Sequence, residues 1–351
     1  MSKIQAFDGH NDVLLRLLDH FAADPVGAFI EGRDHGHLDL PRARQGGMVG
    51  GLFAIFPPPK EASGAGVTPT TDSLNLPLPP PLSIADAQAS TFAMAAILLR
   101  LVEGSGGAIS LCRNRAEIDA AIAAGSLATV LHIEGVEAID TDFYALEVLY
   151  AAGLRSLGPV WSRSNAFGHG VPFRFPSSPD TGPGLTDAGK DLIRICNEKR
   201  ILIDLSHLNE KGFWDVAALS SAPLVATHSN VHALCPSSRN LTDKQLSAIA
   251  ESNGMVGLNF ATCFLRSDGA TRPDTGLDVM AQHLDYLIDK LGEDRVGLGS
   301  DFDGAGVPED IGSVAGLPVL FDYLRGRGYN DALLAKIAKD NWLDLLERTI
   351  G

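Results

Sequence analysis

The residues that could do chemistry begin near the start of the chain, with His10 and Asp12 in Phe7-Asp8-Gly9-His10-Asn11-Asp12. They follow a short apolar run, residues 4–7, which is typical of a buried strand. Residues two apart at the end of a strand point to the same side. An imidazole nitrogen and a carboxylate oxygen would then face one point, which is half of a metal site. The alternative is a turn histidine beside a capping aspartate, and the choice depends on the later strands.

Four later apolar runs also end in residues that bind metal ions: Glu134, His207, His228 and Asp301. Imidazole and carboxylate groups suit zinc and similar divalent ions. Each residue alone also fits a structural role, as Asp301 fits a helix cap. Because five separate predicted strands end in residues of this kind, we favour a single site that is formed by three histidines and three carboxylates.

The number of candidate ligands indicates two metal ions rather than one. One tetrahedral ion with an open position binds three protein ligands, whereas five are available here: His10, Asp12, Glu134, His207 and His228. Two ions that share a central carboxylate fit this number better. Such a pair can hold a hydroxide between the ions, because binding lowers the pKa of water from about 15.7 towards about 7.

The predicted strands and helices that position these residues alternate regularly along the chain. Short runs rich in Val, Ile and Leu alternate with helical patterns along the chain, which is typical of parallel strands buried on both faces. The sequence therefore predicts an α/β fold, a closed (β/α)8 barrel of the TIM type, as one domain over residues 1–351. The predicted strands are residues 4–9, 49–56, 128–134, 154–161, 201–207, 224–228, 255–260 and 296–301, with 108–112 as an extra or edge strand.

Several helix boundaries and two long loops can also be predicted. Thr242 and Gln245 form a capping box that starts one helix, and apolar residues at helical spacing predict another that ends at Gly292. Residues 57–83 and 162–184 are rich in Pro and Gly and predict irregular loops. Both loops leave the C-terminal ends of strands, where barrel enzymes build their active sites.

Composition excludes several classes of partner. The formal net charge is −15, from 28 Lys and Arg against 43 Asp and Glu, which argues against nucleic acid or an anionic membrane. The N-terminal residues carry no secretory pattern, and the apolar run 92–102 is interrupted by Arg100 and is too short to span a bilayer. We therefore expect a soluble cytoplasmic protein, with its four cysteines as reduced thiols.

Taken together, the motifs resemble the renal or membrane dipeptidase family of the amidohydrolase superfamily, nearly from end to end. The residues that carry the resemblance are Asp8-Gly9-His10-Asn11-Asp12, His132-Ile133-Glu134-Gly135, Asp204-Leu205-Ser206-His207, Thr227-His228-Ser229, Ser238-Arg239-Asn240 and Gly299-Ser300-Asp301-Phe302-Asp303-Gly304. Each motif is short, but the combination is highly specific.

The resemblance implies a role for each residue of the site. His10 and Asp12 bind one metal ion, His207 and His228 bind the other, Glu134 bridges both, and the ions are most simply Zn²⁺. Asp301 is implied as the acid and base, and Arg239 as the receptor of the free α-carboxylate of a dipeptide substrate. The family also implies tolerance of a D-residue at the C-terminal side, and a homodimer.

One position departs from the family pattern. Mammalian members carry a histidine that contacts the oxygen of the scissile amide where this chain has Trp161. His169, Arg163 or Asn165 from the same loop could substitute, with His169 preferred, or a metal ion could polarise the carbonyl alone.

Two other functions stay open at this point. A barrel with two metal ions could cleave another bond, as in an N-acyl amino acid, a lactone or a phosphotriester, and Arg239 argues against neutral esters. Alternatively, Trp161 could mark a metal-binding protein that has lost catalysis, which the retained Asp301 opposes. Serine catalysis through Ser206 or Ser229 is disfavoured because no G-x-S-x-G turn is present.

Overall fold

Eight parallel strands form a nearly closed barrel in the computed structural model of the chain, which describes residues 3–59 and 76–351. The strands are β1 Ala6–Asn11, β2 Met48–Ile55, β3 Ile109–Leu111, β4 Leu127–Glu134, β5 Leu154–Gly158, β6 Leu202–Ile203, β7 Val225–Ala226, β8 Met255–Leu258 and β9 Val296–Leu298. Around the barrel the order is β1-β2-β4-β5-β6 and then β7-β8-β9 back to β1, while β3 pairs with β4 outside this path. A parallel bridge between Asp204 and Val225 joins β6 to β7. The predicted (β/α)8 fold is confirmed.

Helices follow most of the strands. They are α1 Val13–His20, α2 Pro25–Ile30, α3 Leu40–Gly46, α4 Ile84–Gly104, α5 Arg115–Ala123, α6 Tyr144–Ala152, α7 Asp187–Lys199, α8 Glu210–Leu219, α9 Asp243–Glu251, α10 Thr262–Leu265, α11 Leu277–Leu291, α12 Leu317–Gly326, α13 Asp331–Ala335 and α14 Asn341–Thr349. The predicted capping box starts α9, where the Thr242 N–H donates to Gln245 Oε1 at 2.9 Å. The helix predicted to end at Gly292 is α11, and Gly292 takes a left-handed φ of 85°.

The inner face of the barrel changes from apolar to polar along β4. On β4 the alternate residues Ala128 and Val130 belong to a buried apolar cluster, and His132 and Glu134 continue the same face. Residues two apart on a strand share a face, so β4 leads directly from the packed half of the barrel to its C-terminal mouth. The candidate site therefore continues directly from the packed interior of the barrel.

The last helix contributes the largest side chain of this apolar cluster. Trp342 of α14 is fully buried, and its indole N–H donates to the Leu298 carbonyl at 2.8 Å. A Cβ added at Gly9 on β1 or at Gly297 on β9 would collide with the indole ring. Glycine at these positions is thus explained by the close approach of Trp342.

The later barrel strands are shorter than predicted. The run predicted as residues 201–207 forms regular pairing only as β6, Leu202–Ile203, and 296–301 only as β9, Val296–Leu298. Neither strand could have reached its predicted end, since His207 has φ 69° and Asp301 has φ 60°, and a left-handed residue cannot continue a strand.

The two predicted loops differ in how far they can be described. Residues 60–75 of the first loop, 57–83, lie outside the described residues. The second loop, 162–184, is described throughout and contains neither a helix nor a regular strand. An antiparallel bridge between Gly170 and Leu208 holds it beside the segment that follows β6.

Helix α4 is longer than the apolar run 92–102 suggested. It covers 21 residues. Among the helices of the described chain, it alone is long and apolar enough to cross a membrane, judged by length and composition only. Its most apolar 18-residue window has a mean hydropathy of 1.3 and is 39% buried. The prediction that this segment is too short was therefore wrong, because the helix begins at Ile84 with small residues that the run did not include. In the structure α4 packs against α1 and α2.

We expect Trp342→Ala to lower the free energy of unfolding by about 3–5 kcal/mol, because it leaves a cavity at the packed end of the barrel and removes the indole donor to the Leu298 carbonyl. Urea unfolding followed by circular dichroism measures this. Trp214 on α8 is 38% exposed and is the matched control. An equal loss in Trp214→Ala would contradict the importance assigned to Trp342.

Candidate metal centre

The carboxylate of Glu134 is the centre of the candidate site. Its Oε1 lies 2.9 Å from His207 Nε2 and 3.1 Å from His228 Nε2. The two imidazole nitrogens are themselves 3.2 Å apart. Glu134, His207 and His228 leave the ends of β4, β6 and β7, so three strands deliver these ligand atoms to one point.

His10 and Asp12 face Glu134 from β1. His10 Nε2 lies 3.4 Å from Asp12 Oδ2 and 3.7 Å from Glu134 Oε1. Ligand atoms of His10, Asp12 and Asp301 lie within 4.8 Å of one another. The structure thus brings together all five predicted ligands and Asp301, although the residues range from position 10 to position 301.

Hydroxyl groups orient two of the three imidazoles. Thr227 Oγ1 donates to Asp204 Oδ2 at 2.6 Å and therefore accepts from Nδ1–H of His228, which lies 2.8 Å away. Ser162 Oγ lies 2.8 Å from His207 Nδ1. With the proton on Nδ1, each ring presents the lone pair of Nε2 to Glu134. This is the tautomer that a metal ion needs.

Burial and mutual charge strongly perturb the site. Burial lowers the pKa of His207 and His228 well below the ordinary value, so these rings are neutral. Burial alone would also lower the pKa of His10, but the charges of Glu134 and Asp12 raise it to about 10. Burial raises the pKa of Glu134 well above its ordinary value, against the opposing charge of His10. The protein alone therefore holds protons in the cluster at neutral pH.

These residues fit two divalent ions by several observations. Both ring nitrogens of His10 and Oδ1 of Asp12 are buried without a hydrogen-bond partner among residues 3–59 and 76–351. Ligand atoms around a tetrahedral zinc ion are separated by roughly 3.3 Å, which matches the separation of His207 Nε2 from His228 Nε2 and of His10 Nε2 from Asp12 Oδ2. Glu134 lies between the two pairs, where a bridging carboxylate belongs.

Asp301 is held by a residue that the sequence prediction missed. Asn259, directly after β8, donates its amide to Asp301 Oδ2 at 2.9 Å. Desolvation by the surrounding protein, followed by the charge of Asp12, raises the pKa of Asp301 to about 6. Extending the search for strand-end residues from carboxylates and imidazoles to amides would have found Asn259. The neighbouring Asp303 instead pairs with Arg33 at 2.7 Å.

Arg239 is buried beside the cluster. Its Nη2 donates to the His228 carbonyl at 3.1 Å, its Nη1 to Ser229 Oγ at 3.3 Å, and its guanidinium stacks on Phe264 at 5.4 Å. Burial lowers the pKa of Arg239, while the charges of Glu134 and Asp301 oppose that shift. Nε is buried without a described partner, so it is available to an anionic ligand.

The loop that carries Arg239 is joined to the loop after β5. Ser238 donates its backbone N–H to the Arg174 carbonyl at 3.1 Å and its hydroxyl to the Pro172 carbonyl. The Ser177 N–H donates to the Pro236 carbonyl at 2.8 Å. The two loops therefore form one hydrogen-bonded unit over the mouth of the barrel.

Trp161 and Phe173 add aromatic surface beside the cluster. Their rings lie 5.9 Å and 6.1 Å from the ring of His207 and 5.5 Å from each other. Phe173 also contacts Phe264, with ring centroids 5.9 Å apart. Trp161, which is predicted to stand in place of the family histidine, thus packs its ring against the imidazole of His207.

The three residues predicted as substitutes for the family histidine have other contacts. Ser164 Oγ lies 3.0 Å from His169 Nδ1, and no contact between His169 and the cluster is recorded in the described part of the chain. Arg163 is buried in a pair with Glu137 at 2.8 Å. The side chain of Asn165 binds the Pro159 carbonyl and the Phe167 N–H within its own loop. The preference for His169 therefore gains no support from its position.

Known proteins resemble this chain in sequence and in structure. The family model of the membrane dipeptidases, peptidase family M19, matches residues 1–349. A metallo peptidase of Rhodobacter sphaeroides, liganded with a phosphinate mimic of the dipeptide L-Ala-D-Ala, is 52% identical, with 99% of this chain and 100% of that chain covered and a TM-score of 0.96. The dipeptidase AC, a metallo peptidase of family M19, is 52% identical with all of both chains covered and a TM-score of 0.94. An uncharacterised protein of the pqqA 5′ region of Klebsiella pneumoniae is 52% identical over 252 residues, which are 72% of this chain and 93% of that protein.

We expect metal binding to release protons and to strengthen as pH rises. A dication must displace protons from His10, whose pKa is raised to about 10, and from Glu134, whose pKa is also raised. The apparent affinity for Zn²⁺ should therefore increase as the pH rises towards about 10, the raised pKa of His10. Calorimetric titration of the metal-free protein in buffers of different ionisation enthalpy counts the protons. Binding without proton release at neutral pH would contradict these pKa shifts.

Proposed function

The chain belongs to the membrane dipeptidase family, and we propose that it uses two divalent ions, most simply Zn²⁺, to hydrolyse the peptide bond of dipeptides Xaa-Xaa. Family membership and 52% identity to metallo peptidases over the whole chain make it a metal-dependent dipeptidase. The observation that carries the proposal is the position of Glu134 Oε1 between two pairs of ligand atoms.

Each pair of residues suits one ion. His10 and Asp12 would hold one, His207 and His228 would hold the other, and Glu134 would be shared. When bound, such ions supply a Lewis acid for the amide carbonyl and lower the pKa of water towards about 7. The remaining tasks, which are proton transfer and recognition of the substrate, belong to side chains of the protein.

We assign proton transfer to Asp301. Asn259 holds Oδ2 of this carboxylate, and Oδ1 would take a proton from the attacking water and pass it to the leaving amine nitrogen. A general base works best when its pKa lies near the working pH, and the protein raises the pKa of Asp301 to about 6. Divalent ions held by the neighbouring ligands would lower the pKa of Asp301 again and favour its ionised form.

Arg239 supports a preference for very short peptides. A guanidinium pairs with a planar carboxylate through two parallel hydrogen bonds, and this one is buried at a fixed position beside His228. A free α-carboxylate bound there sets the distance between the chain end and the scissile bond. Longer peptides place an amide at that point and lose the ion pair.

The substrate range that we propose includes a D-residue at the C-terminal side. Support comes from the Rhodobacter sphaeroides metallo peptidase, whose ligand mimics L-Ala-D-Ala. The carboxylate and the scissile carbonyl of a dipeptide keep similar positions in either configuration, while the side chain changes direction. Paired L-Xaa-L-Xaa and L-Xaa-D-Xaa substrates therefore test this part of the proposal directly.

We expect chelation to abolish dipeptide hydrolysis and added Zn²⁺ to restore it.

In the same assay Asp301→Asn should retain the metal ions but lose about 10²–10⁴-fold in kcat, because it cannot accept a proton. Metal content is measured on each sample, and N-acyl amino acids and lactones are assayed beside the dipeptides. Wild-type kcat in Asp301→Asn would overturn the role of Asp301, and faster turnover of a lactone would overturn the substrate class.

We expect Arg239→Ala to lower kcat/KM for free dipeptides by about 10- to 100-fold, the usual effect of losing a hydrogen bond to a charged group. Dipeptide C-terminal amides should already be poor substrates of the wild type and should lose little further. Arg194 on α7, whose side chain is 55% exposed, provides the control Arg194→Ala. If free dipeptides and their amides lose rate equally in Arg239→Ala, the carboxylate is bound elsewhere.

A further inference from the structure

His132 lies in a polar layer between the candidate metal centre and the apolar half of the barrel. It precedes Glu134 by two residues on β4 and is completely buried. Its Nδ1 lies 2.8 Å from Ser156 Oγ on β5, and its Nε2 lies 3.7 Å from Asp204 Oδ2. Nε2 has no hydrogen-bond partner within the described ranges.

His10 is the ligand imidazole whose outer nitrogen lacks a hydroxyl partner. Nδ1 of His207 and of His228 are each 2.8 Å from a hydroxyl group, whereas Nδ1 of His10 is buried and unpartnered as far as the structure is described. Because Nε2 of His10 faces Asp12 and Glu134, Nδ1 is turned away from the cluster.

The ring of His132 stands where a partner for His10 is needed. The two rings meet edge to face, with centroids 5.4 Å apart and planes at 79°. One ligand atom from each of His10, His132 and Asp204 lies within 4.8 Å of the others. A single buried water bridges polar atoms at such separations.

We propose that His132, supported by Ser156, is a positioning residue that holds the ring of His10 with its proton on Nδ1 and Nε2 free for a metal ion. In this arrangement His132 donates its own Nδ1–H to Ser156 and offers the lone pair of Nε2 towards His10. Asp204 lies in the same buried layer and accepts from Thr227, which orients His228. The inference rests on the proposed metal-dependent function. It places the groups that orient His10 and His228 in one buried layer beneath the candidate metal centre.

The variants that test this role differ in the polar group at position 132. His132→Leu removes the acceptor at similar volume, and His132→Gln restores a polar side chain of similar reach. His283 on α11 is also completely buried and is bonded to the backbone of Val231 and Leu265, so His283→Leu controls for the loss of a buried imidazole. Thermal unfolding of each metal-free protein records the structural cost.

The readout is the binding of Zn²⁺ to the metal-free proteins, measured by titration and by metal analysis. We expect two tight sites in the wild type and in His283→Leu. His132→Leu should retain one tight site and weaken the other about 10- to 100-fold, the usual effect of removing a partner of a ligand. His132→Gln should recover most of that loss. The visible spectrum of the Co²⁺-substituted proteins should change for one of the two ions in His132→Leu.

Three results would overturn the role of His132: two tight sites in His132→Leu, an equal weakening of both sites, or identical behaviour of the Leu and Gln variants. A wild-type protein that binds no Zn²⁺, or hydrolyses no dipeptide when loaded, would instead contradict the proposed function. The two failures are therefore distinguishable on the same set of samples.

Discussion

The burial of carboxylates and imidazoles around one atom, Glu134 Oε1, is the constraint on which the mouth of the barrel depends. Removing an ion from water costs several kcal/mol even after the protein relaxes, and carboxylates close together also repel one another. In the protein alone, protons on the cluster and the nearby charge of Arg239 offset part of this cost. Divalent cations offset more of it, so metal occupancy and folded stability are linked.

The barrel supports this arrangement with its backbone and with neutral polar groups. His207 and Asp301 adopt left-handed φ values of 69° and 60°, which cost of order 1–3 kcal/mol each and persist only when the surroundings determine them. Hydrogen bonds hold both residues: the Asp301 N–H donates to the His10 carbonyl at 3.0 Å, and the Val171 N–H donates to the His207 carbonyl at 2.8 Å. Hydroxyl groups such as Thr227 Oγ1 then fix the tautomers without adding charge to the mouth.

The sequence predicted much of the site because a parallel barrel brings the C-terminal ends of its strands to one mouth. His10, Glu134 and His228 could be grouped from strand ends alone, and the structure places them within one cluster. Asn259 also follows a strand directly, but an amide is not among the ligand types that defined the pattern, so its contact with Asp301 was not predicted. The path of a loop is equally hidden, so the sequence could not predict that the ring of His169 lies against Ser164.

The hydrogen bonds between the Arg239 loop and the loop after β5 have a consequence for how this scaffold can diversify. Because Ser238 binds the carbonyls of Pro172 and Arg174, a change in the length of either loop shifts the other. Grafting one loop from a relative would therefore misplace the guanidinium even if Arg239 itself is kept. Substrate range in this scaffold should change by joint replacement of both loops, as a single exchangeable module.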